Sequence, residues 1–435
     1  MKNNEIKFAE TLPQFEKFLL ETIERSNFEL TKINIADQNE WNLENGILSH
    51  KTGGFFHIAG LKDKISKEEH LVLYQPQNPI TGLALCKANG TVYVLLQART
   101  EPGAVCQYGP TIQATPANYL QLHGGKKNPY LEMFSGYQPN SNLISNSMQL
   151  DLGKRYYQKT KMHDYVEVST FLLTEENMIW VPLKVIFESI NNNNFLNADL
   201  RSLLSVFDWD FFIYNGDNFF YSNNNYKNDY SFLFKNIQKT KEWQLVSLNE
   251  LKGWEVKGEG IVDLFGSGVS ANMYNVSCTN REVKKWSQPL MCASNQGLVI
   301  LLIRKVNDEY QVLISIQSEF GISYEQVILP SFIIYPGENK LDNPLSFDNG
   351  EIISEFIQSD EGGRFYQHES VYKVVLIDEE IKIESNQYWI SANVLKNLLK
   401  SSNKASIQLR CIASSILDIL NPNTFKRIKS KEIVD

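Results

Sequence analysis

A polar cluster lies between residues 94 and 134, in a stretch that is interleaved with glycine and proline. Its members are Gln97, Arg99, Glu101, Gln113, Asn118, Tyr119 and His123. A carboxylate or an imidazole can transfer protons, amides can hold carbonyl and hydroxyl oxygens, and arginine can bind phosphate. Such a set at strand ends is typical of a loop-built binding pocket. The alternative is that Glu101-Pro102-Gly103 forms only a turn, because proline and glycine favour turns for steric reasons.

Other kinds of catalytic site find little support in the sequence. The six histidines show no spacing typical of a metal site, and no G-x-S-x-G motif, phosphate-binding loop or paired-carboxylate signature is present. The glycines between 258 and 268 do not form the G-x-G-x-x-G motif that binds dinucleotides. We therefore expect no metal and no nicotinamide cofactor.

The chain contains a long internal repeat. The motif RYYQ at 155–158 returns as RFYQ at 364–367, and Trp180 returns as Trp389, at one spacing (364 − 155 = 389 − 180 = 209). This period is far longer than the roughly 20–50 residues of solenoid repeats, so each copy should be a complete domain. We predict an N-terminal helical segment at 1–50, a first repeat at 51–207, a connector at 208–268 and a second repeat at 269–435.

The two copies differ in their polar residues. Glu101 and Gly103 recur as Glu319 and Gly321, whereas Gln97 becomes Ser315, Arg99 becomes Gln317 and Gln113 becomes Ile333. The turn is thus present twice and the polar cluster once. A purely structural cluster should persist with the fold, so we predict an active pocket in the first repeat and a degenerate one in the second.

Four further candidates follow the cluster along the chain. They are Arg155, Tyr157, Lys159 and Arg201. Tyr157 and Lys159 lie on an alternating strand, whose faces could meet either solvent or the pocket. Arg201 recurs as Arg410 on an equivalent helix, where a structural contact is the more frequent use of a long arginine side chain.

Local patterns predict an α+β unit in each copy. Residues 11–25 place apolar side chains at helical spacing, and Asn89-Gly90 between two apolar runs is typical of a hairpin. A helix should follow Trp180-Val181-Pro182, and a second one should begin with Asn197 as its cap. Each copy is thus mostly strand, followed by helix.

Composition limits the partners and the compartment. The net charge of −8 gives no general attraction for nucleic acid or anionic membranes. The longest apolar run, 298–303, is far shorter than the roughly 20 residues that span a bilayer, and the first ten residues lack the apolar stretch of a signal peptide. Five cysteines without C-x-x-C spacing indicate reduced thiols. We therefore expect a cytoplasmic protein.

Several motifs resemble those of the NDP-hexose 2,3-dehydratases. They are TGGFFHIAGL, QARTEPG, PTIQATPANY, GKRYYQK and NADLRSLLS in the first half, with REVKKWSQPLM and EGGRFYQHESVY in the second. The resemblance spans about residues 51–417 and implies a dimer whose subunits each contain two Nudix-like α+β domains. No Nudix box is present, so diphosphate hydrolysis is not expected. In the family's second copy the QARTEPG and PTIQ elements usually recur, and here both are eroded.

The resemblance implies a lyase that acts on a dTDP-4-keto-6-deoxyhexose and removes the C2 hydroxyl without a redox cofactor. Under this interpretation Glu101 or His123 could be the base or the acid, and Gln97, Gln113 and Tyr157 could hold oxygens of the sugar. Arg99, Arg155 and Lys159 could contact the diphosphate, Tyr119 could stack on thymine, and Asn118 and Arg201 are further candidates for substrate binding. A 3-ketoreductase would act next in the pathway.

Two other functions remain open at this point. A non-catalytic sugar-nucleotide-binding protein would agree with the eroded second copy. A lyase or epimerase acting on another keto-sugar nucleotide would share the step that removes the C3 proton.

Overall fold

The computed structural model describes residues 5–115, 118, 130–134, 141–214, 233–234, 241–281, 283–322, 326–338, 350–378 and 380–431. The strands of the first half are β1 Glu29–Ile33, β2 Trp41–Glu44, β3 Ile47–His50, β4 His57–Asp63, β5 Glu69–Tyr74, β6 Ile80–Ala88, β7 Thr91–Glu101, β8 Ala104–Gly109, β9 Ile112–Ala114, β10 Ser141–Leu150, β11 Tyr156–Tyr157, β12 Thr160–Val168 and β13 Met178–Pro182. Those of the second half are β14 Trp243–Val246, β15 Trp254–Lys257, β16 Gly260–Asp263, β17 Val269–Ser277, β18 Lys285–Ala293, β19 Gly297–Val306, β20 Glu309–Ser318, β21 Gln326–Leu329, β22 Phe332–Ile334, β23 Glu351–Ser359, β24 Phe365–Tyr366, β25 Glu369–Leu376 and β26 Gln387–Ser391. The helices are α1 Leu12–Ser26, α2 Leu131–Phe134, α3 Leu183–Glu188, α4 Ala198–Val206, α5 Trp209–Tyr214, α6 Ala392–Lys400, α7 Ile407–Ala413, α8 Leu417–Leu420 and α9 Pro422–Lys431.

Two large mixed sheets have the same strand order. The first is β10-β12-β6-β7-β13, with β8 paired to β7 and β9 to β6. The second is β23-β25-β19-β20-β26, with β21 paired to β20 and β22 to β19. Helices follow the last strand of each sheet, α3 and α4 in one half and α6 and α7 in the other. The structure thus confirms two repeated α+β halves.

Two smaller sheets join the halves by exchanging a strand. The order β11-β5-β4-β3-β2 in the first half matches β24-β18-β17-β16-β15 in the second. The strand β1 pairs with β17 of the second half, and its counterpart β14 pairs with β4 of the first half, both antiparallel. Each repeat therefore completes the small sheet of the other.

The strands of the small sheets place the start of each repeat earlier in the chain than predicted. The segment 208–268, predicted to be a connector, contains β14, β15 and β16, which belong to the small sheets. Likewise 1–50, predicted to be a helical segment, contains β1, β2 and β3 as well as α1. Trp41 and Trp254 begin the equivalent strands β2 and β15. Each structural repeat therefore begins before its predicted boundary, at 51 or 269, because its first strands are short and their apolar pattern is weak.

Local sequence signals are confirmed where the chain forms its own hydrogen bonds. Asn89 and Gly90 both have positive φ in the β6–β7 hairpin, as a tight hairpin turn requires. The Asn197 side chain accepts a hydrogen bond from the amide of Leu200 and caps α4. The predicted N-terminal helix packs Phe15 against Tyr108, with ring centroids 3.9 Å apart.

Each repeat also covers an edge strand of the other. The Asn194 amide donates to the carbonyl oxygen of Ile357 in β23, and the Asn193 and Asn194 side chains accept from β23 amides at 2.8 Å. At the equivalent place Asn403 donates to Met148 of β10. These contacts satisfy backbone groups that an open sheet edge would leave unpaired.

The described residues include no helix long and apolar enough to cross a membrane. All five cysteines are free, and four of them are buried.

Candidate functional site

The candidate site is a cavity of about 360 Å³ between the two repeats. Its first-repeat walls include Trp41, His50, Lys51, Phe55, Phe56, Thr81, Arg99, Glu101, Gln113, Asn118, Lys161 and Asp199, and its second-repeat walls include Arg281, Trp286, Gln288, Glu361, Gly363 and Arg364. This volume falls within the roughly 300–1,000 Å³ that is usual for small-molecule sites. The cavity includes part of the polar cluster predicted to form the pocket of the first repeat, and the second repeat supplies the rest of its wall.

The repeats meet closely at the turn that follows Glu101. The Gly103 amide donates to the carbonyl oxygen of Gly362 at 2.7 Å, and Gln367 donates back to the Gly103 carbonyl oxygen at 2.8 Å. A Cβ atom at Gly103 would lie 1.6 Å from the carbonyl oxygen of Phe365. The glycine of the E-P-G sequence is thus required by the close approach of the other repeat's backbone.

The first-repeat wall presents a held carboxylate and an oriented amide. Arg99 Nε donates to Glu101 Oε1 at 2.8 Å, and both side chains are largely buried. The Asn197 side chain donates to Gln113 Oε1 at 3.2 Å. Because the Gln113 carbonyl is an acceptor in this bond, its NH₂ group is what remains to donate to a ligand.

The second-repeat wall combines aromatic and cationic groups. Trp286 Nε1 donates to Gln288 Oε1 at 2.8 Å, and Gln288 Nε2 donates to the carbonyl oxygen of Gly363 at 2.8 Å. The Arg364 guanidinium lies 4.3 Å from the centroid of the Phe56 ring. Within the described chain the buried Nε of Arg364 has no hydrogen-bond partner.

A cluster of lysines and carboxylates forms the floor of the cavity. Lys161 Nζ lies 2.9 Å from Asp199 Oδ1, 3.0 Å from Glu361 Oε2 and 3.2 Å from Asp151 Oδ2. Lys159 Nζ lies 3.6 Å from Asp151 Oδ2 and 3.1 Å from Gln75 Oε1. The cluster joins the repeats, because Glu361 comes from the second one.

Burial and charge shift the pKa values in this cluster in different directions. Burial lowers the pKa of Lys159 to about 8, against the opposing effect of Glu361 and Asp151. Burial also acts to lower the pKa of Lys161, but Asp151, Asp199 and Glu361 together raise it well above its usual value. Lys161 is therefore a permanent cation at the floor of the cavity.

The equivalent place in the other half is filled by protein side chains. The Tyr335 hydroxyl donates to Glu319, the counterpart of Glu101. Lys154 lies over the Tyr335 ring at 4.3 Å and bonds to Glu338 Oε1 at 2.8 Å. Arg155 donates to the carbonyl oxygen of Pro336 and, at 3.3 Å, to His368 Nε2. The counterparts of the cavity-lining groups are therefore bound to other protein groups at this place.

The structure separates the predicted site residues into three groups. Glu101, Arg99, Gln113 and Asn118 line the cavity together. Gln97, Tyr157, Lys159, Arg155 and Arg201 do not line it. Tyr119 and His123 lie outside the described residues.

Each residue outside the lining has a structural environment that explains its position. Gln97 is half-buried between Met178 and Gly109 in the large sheet. The Tyr157 hydroxyl accepts from Gln158 Nε2 at 3.2 Å. Lys159 lies behind Lys161 in the buried cluster, beside Asp151. Arg155 and Arg201 bind groups of the other repeat.

Arg155 and Arg201 hold the two repeats together. Arg155 lies at the second repeat's Pro336, so its counterpart Arg364, and not Arg155, reaches the cavity. Arg201 is fully buried, donates to Gln358 Oε1 at 2.7 Å and stacks 3.9 Å from the Phe356 ring centroid. It therefore serves packing, the alternative that its recurrence as Arg410 favoured.

Sequence reasoning missed the lining residues contributed from elsewhere, chiefly Lys161, Asp199, Trp286, Glu361 and Arg364. The motifs WSQPLM and EGGRFYQ contain three of them and mark the signal that could have found them. Within the described ranges no group of three His, Cys, Asp or Glu side chains is arranged to hold a metal ion.

Known proteins match both halves of the chain. A family model described as NDP-hexose 2,3-dehydratase matches residues 12–207 and 232–416. The chain belongs to the NDP-hexose 2,3-dehydratase family. The two matched segments correspond to the two repeats, so the family's pattern extends over both walls of the cavity.

Relatives with named activities cover nearly the full length of this family member. The dTDP-4-dehydro-6-deoxy-alpha-D-glucopyranose 2,3-dehydratase of Saccharopolyspora spinosa is 24% identical over 93% of this chain and 90% of its own. The proteins of the same description from Amycolatopsis orientalis and Streptomyces violaceoruber are 26% and 23% identical, each over 89% of this chain, and over 86% and 93% of their own lengths.

Proposed function

We propose that the protein is a hydro-lyase that removes the C2 hydroxyl of dTDP-4-keto-6-deoxy-D-glucose and forms dTDP-3,4-diketo-2,6-dideoxyglucose. The observation that carries this proposal is the cavity between the repeats, with Glu101, Gln113 and Arg364 in its wall. Family membership and the three named relatives support the substrate. Deoxysugar biosynthesis is the corresponding biological role.

The chemistry begins at the C3 hydrogen, which the neighbouring C4 ketone makes acidic. Glu101 removes this proton as the base, held in place by Arg99 at 2.8 Å. Negative charge then develops on the C4 oxygen, and the Gln113 NH₂ group donates a hydrogen bond to it. A positioned base contributes roughly 10²–10⁴-fold and an oriented donor a similar factor.

The rest of the cavity suits the nucleotide. Arg281 and Arg364 carry positive charge toward a diphosphate, which arginine binds through paired hydrogen bonds. The half-buried Trp286 ring offers a face on which thymine stacks. Asn118, whose Oδ1 accepts from Thr115 at 2.8 Å, lies at the edge of this region.

Finer features of the proposal rest on the family resemblance. We infer that each large sheet is a Nudix-like fold without the hydrolytic box, and that the enzyme is a cytoplasmic homodimer. Five free thiols agree with a reducing compartment. The diketone product is reactive, so a 3-ketoreductase is expected to consume it.

The test is incubation of the purified protein with dTDP-4-keto-6-deoxyglucose and a 3-ketoreductase that traps the unstable diketone. We expect a 2,6-dideoxy product by mass spectrometry. A folded protein that binds thymidine diphosphate and yields no dideoxy sugar would instead be a non-catalytic binding protein. Exchange of the C3 hydrogen with solvent without loss of water in the unaltered protein would indicate an epimerase.

A further inference from the structure

The floor of the cavity contains a carboxyl group to which the proposed chemistry assigns no role. Asp199 lies in the first turn of α4, is 3% exposed and lines the cavity. Its Oδ1 contacts Lys161 at 2.9 Å, whereas its buried Oδ2 has no hydrogen-bond partner within the described chain. A buried carboxyl oxygen without a partner is costly unless it is protonated or meets a ligand.

Lys161 is held between carboxylates from both repeats. Its Nζ donates hydrogen bonds to Asp199 Oδ1 at 2.9 Å and to Glu361 Oε2 at 3.0 Å, and it lies 3.2 Å from Asp151 Oδ2. Lys161 therefore fixes the two cavity-lining carboxyl groups, Asp199 from one repeat and Glu361 from the other.

The environments of these two carboxyl groups differ. Burial raises the pKa of Asp199, although Lys161 opposes this effect. Burial also acts to raise the pKa of Glu361, but Lys161, Lys159 and Arg364 outweigh it and lower that pKa. Of these two carboxyl groups, Asp199 is therefore the one that holds a proton more readily.

The cluster also occurs once in the molecule. At the spacing of 209, the counterparts of Lys161, Asp199 and Glu361 are Ser370, Gln408 and Leu152. The counterpart of Asp199 is thus a neutral amide on an equivalent buried helix, α7. A cluster needed only for folding would be expected in both halves, so its restriction to the open cavity points to chemistry.

We propose that Asp199 is the general acid that protonates the C2 hydroxyl as it leaves as water. This role rests on the proposed dehydratase function. Glu101 takes the C3 proton, and the C3–H electrons form the C3=C4 bond of an enolate. The enolate then re-forms the C4 carbonyl and makes the C2=C3 bond, while the C2–O bond breaks and its oxygen takes the Asp199 proton.

The same two carboxyls complete the cycle. Asp199, now ionised, accepts the proton of the C3 enol hydroxyl, and protonated Glu101 delivers its proton to C2. The sugar becomes the 3,4-diketone, one water has been lost, and both carboxyls return to their starting states. No oxidant or reductant is consumed.

The test separates removal of the C3 proton from loss of the hydroxyl. In D₂O, with purified Asp199→Asn, proton NMR of the unreacted substrate reports exchange at C3, and trapping with a 3-ketoreductase reports elimination. We expect exchange to persist while elimination falls roughly 10²–10⁴-fold. In Glu101→Gln, exchange and elimination should both fall.

Asp208→Asn is the matched control. Asp208 is a buried carboxylate outside the cavity, bound to Lys396 at 2.8 Å and to Lys400 at 2.7 Å. This variant should lose stability but retain elimination. A folded Asp199→Asn that keeps wild-type elimination, or that loses exchange and elimination equally, would overturn the role of Asp199. Absence of both reactions in the unaltered protein would instead overturn the proposed function, and the acid role with it.

Discussion

Glu101 and Glu319 occupy equivalent turns but meet different surroundings. Glu101 lines the cavity and is held by Arg99. Glu319 accepts from the Tyr335 hydroxyl in a fully buried place, where burial raises its pKa even though that hydrogen bond opposes the effect. The same glutamate therefore faces a ligand cavity in one repeat and packs inside the protein in the other.

We predict that Glu101→Gln lowers kcat roughly 10²–10⁴-fold, because an amide cannot accept the C3 proton. Glu319→Gln should change kcat little, because an amide oxygen still accepts from Tyr335. Steady-state kinetics on both purified variants compare the two. Equal losses would show that the division of roles between the repeats is wrong.

His163 gives a second prediction at this scale. It is buried in β12, and burial, with Arg410 and Lys161 nearby, holds its pKa well below 6.5. Below pH 6.5 the unfolded chain therefore binds a proton that the folded protein rejects, so the unfolding free energy falls as the pH falls. Replacement of His163 by Phe, which resembles its counterpart Tyr372, should remove this contribution, at most about 2 kcal/mol between about pH 6.5 and pH 5.

Urea unfolding of wild type and His163→Phe across this range measures the difference. The variant's unfolding free energy should decline less steeply with acid than that of the wild type. Parallel pH profiles would mean that His163 is protonated in the folded protein.

Residue types alone predicted part of the site. Arg99 and Gln113 could be found because they differ between the copies, while Glu101 and the turn around it recur. Arg155 could not be placed correctly, because the sequence does not reveal that the turn before β11 packs against the other repeat. Lys161 and Asp199 were missed because nothing in their local patterns distinguishes a buried ion cluster from a solvent-exposed charge.

At the scale of elements, two equivalent turns, at Gly103 and Gly321, pack on the backbone of the other repeat. Gly103 packs on the backbone of Phe365, and Gly321 packs on the backbone of Tyr156, where a Cβ atom would lie 2.0 Å from the carbonyl oxygen. Both turns therefore dock one repeat on the other, which explains why E-x-G persists in both copies. Only the Gly103 turn also carries a cavity residue.

We predict that Gly103→Ala and Gly321→Ala each destabilise the protein by about 1–3 kcal/mol or more, because the added methyl group overlaps backbone atoms. Only Gly103→Ala should also reduce kcat at temperatures where both variants remain folded. Thermal melts and kinetics on the pair provide the comparison. Equal effects on activity would contradict a single working cavity.

Helices and hairpins were predictable because their signals are local, as with the Asn197 cap and the Asn89-Gly90 turn. The pairing of β1 with β17 was not predictable, since the two strands are joined through long-range hydrogen bonds and β1 itself is largely exposed. Its partner is specified by the assembled sheets and by no pattern in its five residues.

At the scale of the whole molecule, the two repeats share an apolar cluster. One apolar cluster includes Leu73 of the first small sheet, Met273 of the second, and Leu301 and Leu409 of the second large sheet with its helix. The exchanged strands β1 and β14 add to this shared core. Neither half contains all the strands of its own small sheet.

We predict a single cooperative unfolding transition in spite of the duplication. Tryptophan fluorescence and far-ultraviolet circular dichroism should give coincident urea curves, because neither half can lose its structure alone. Two separated transitions would show that the repeats are independent. The fragment 1–240, which lacks β14, should not reach a native-like fold.

The strand exchange between the repeats bears on how the two equivalent clefts came to differ. Two separate copies of one ancestral repeat, exchanging strands about a twofold axis, would be bound to carry two identical clefts. Once a peptide chain links them, each cleft can accumulate its own substitutions while the shared framework holds both in register. In this chain Tyr335 and Lys154 fill one of the two equivalent clefts, which leaves it a structural support. The other cleft stays open and carries the proposed active site.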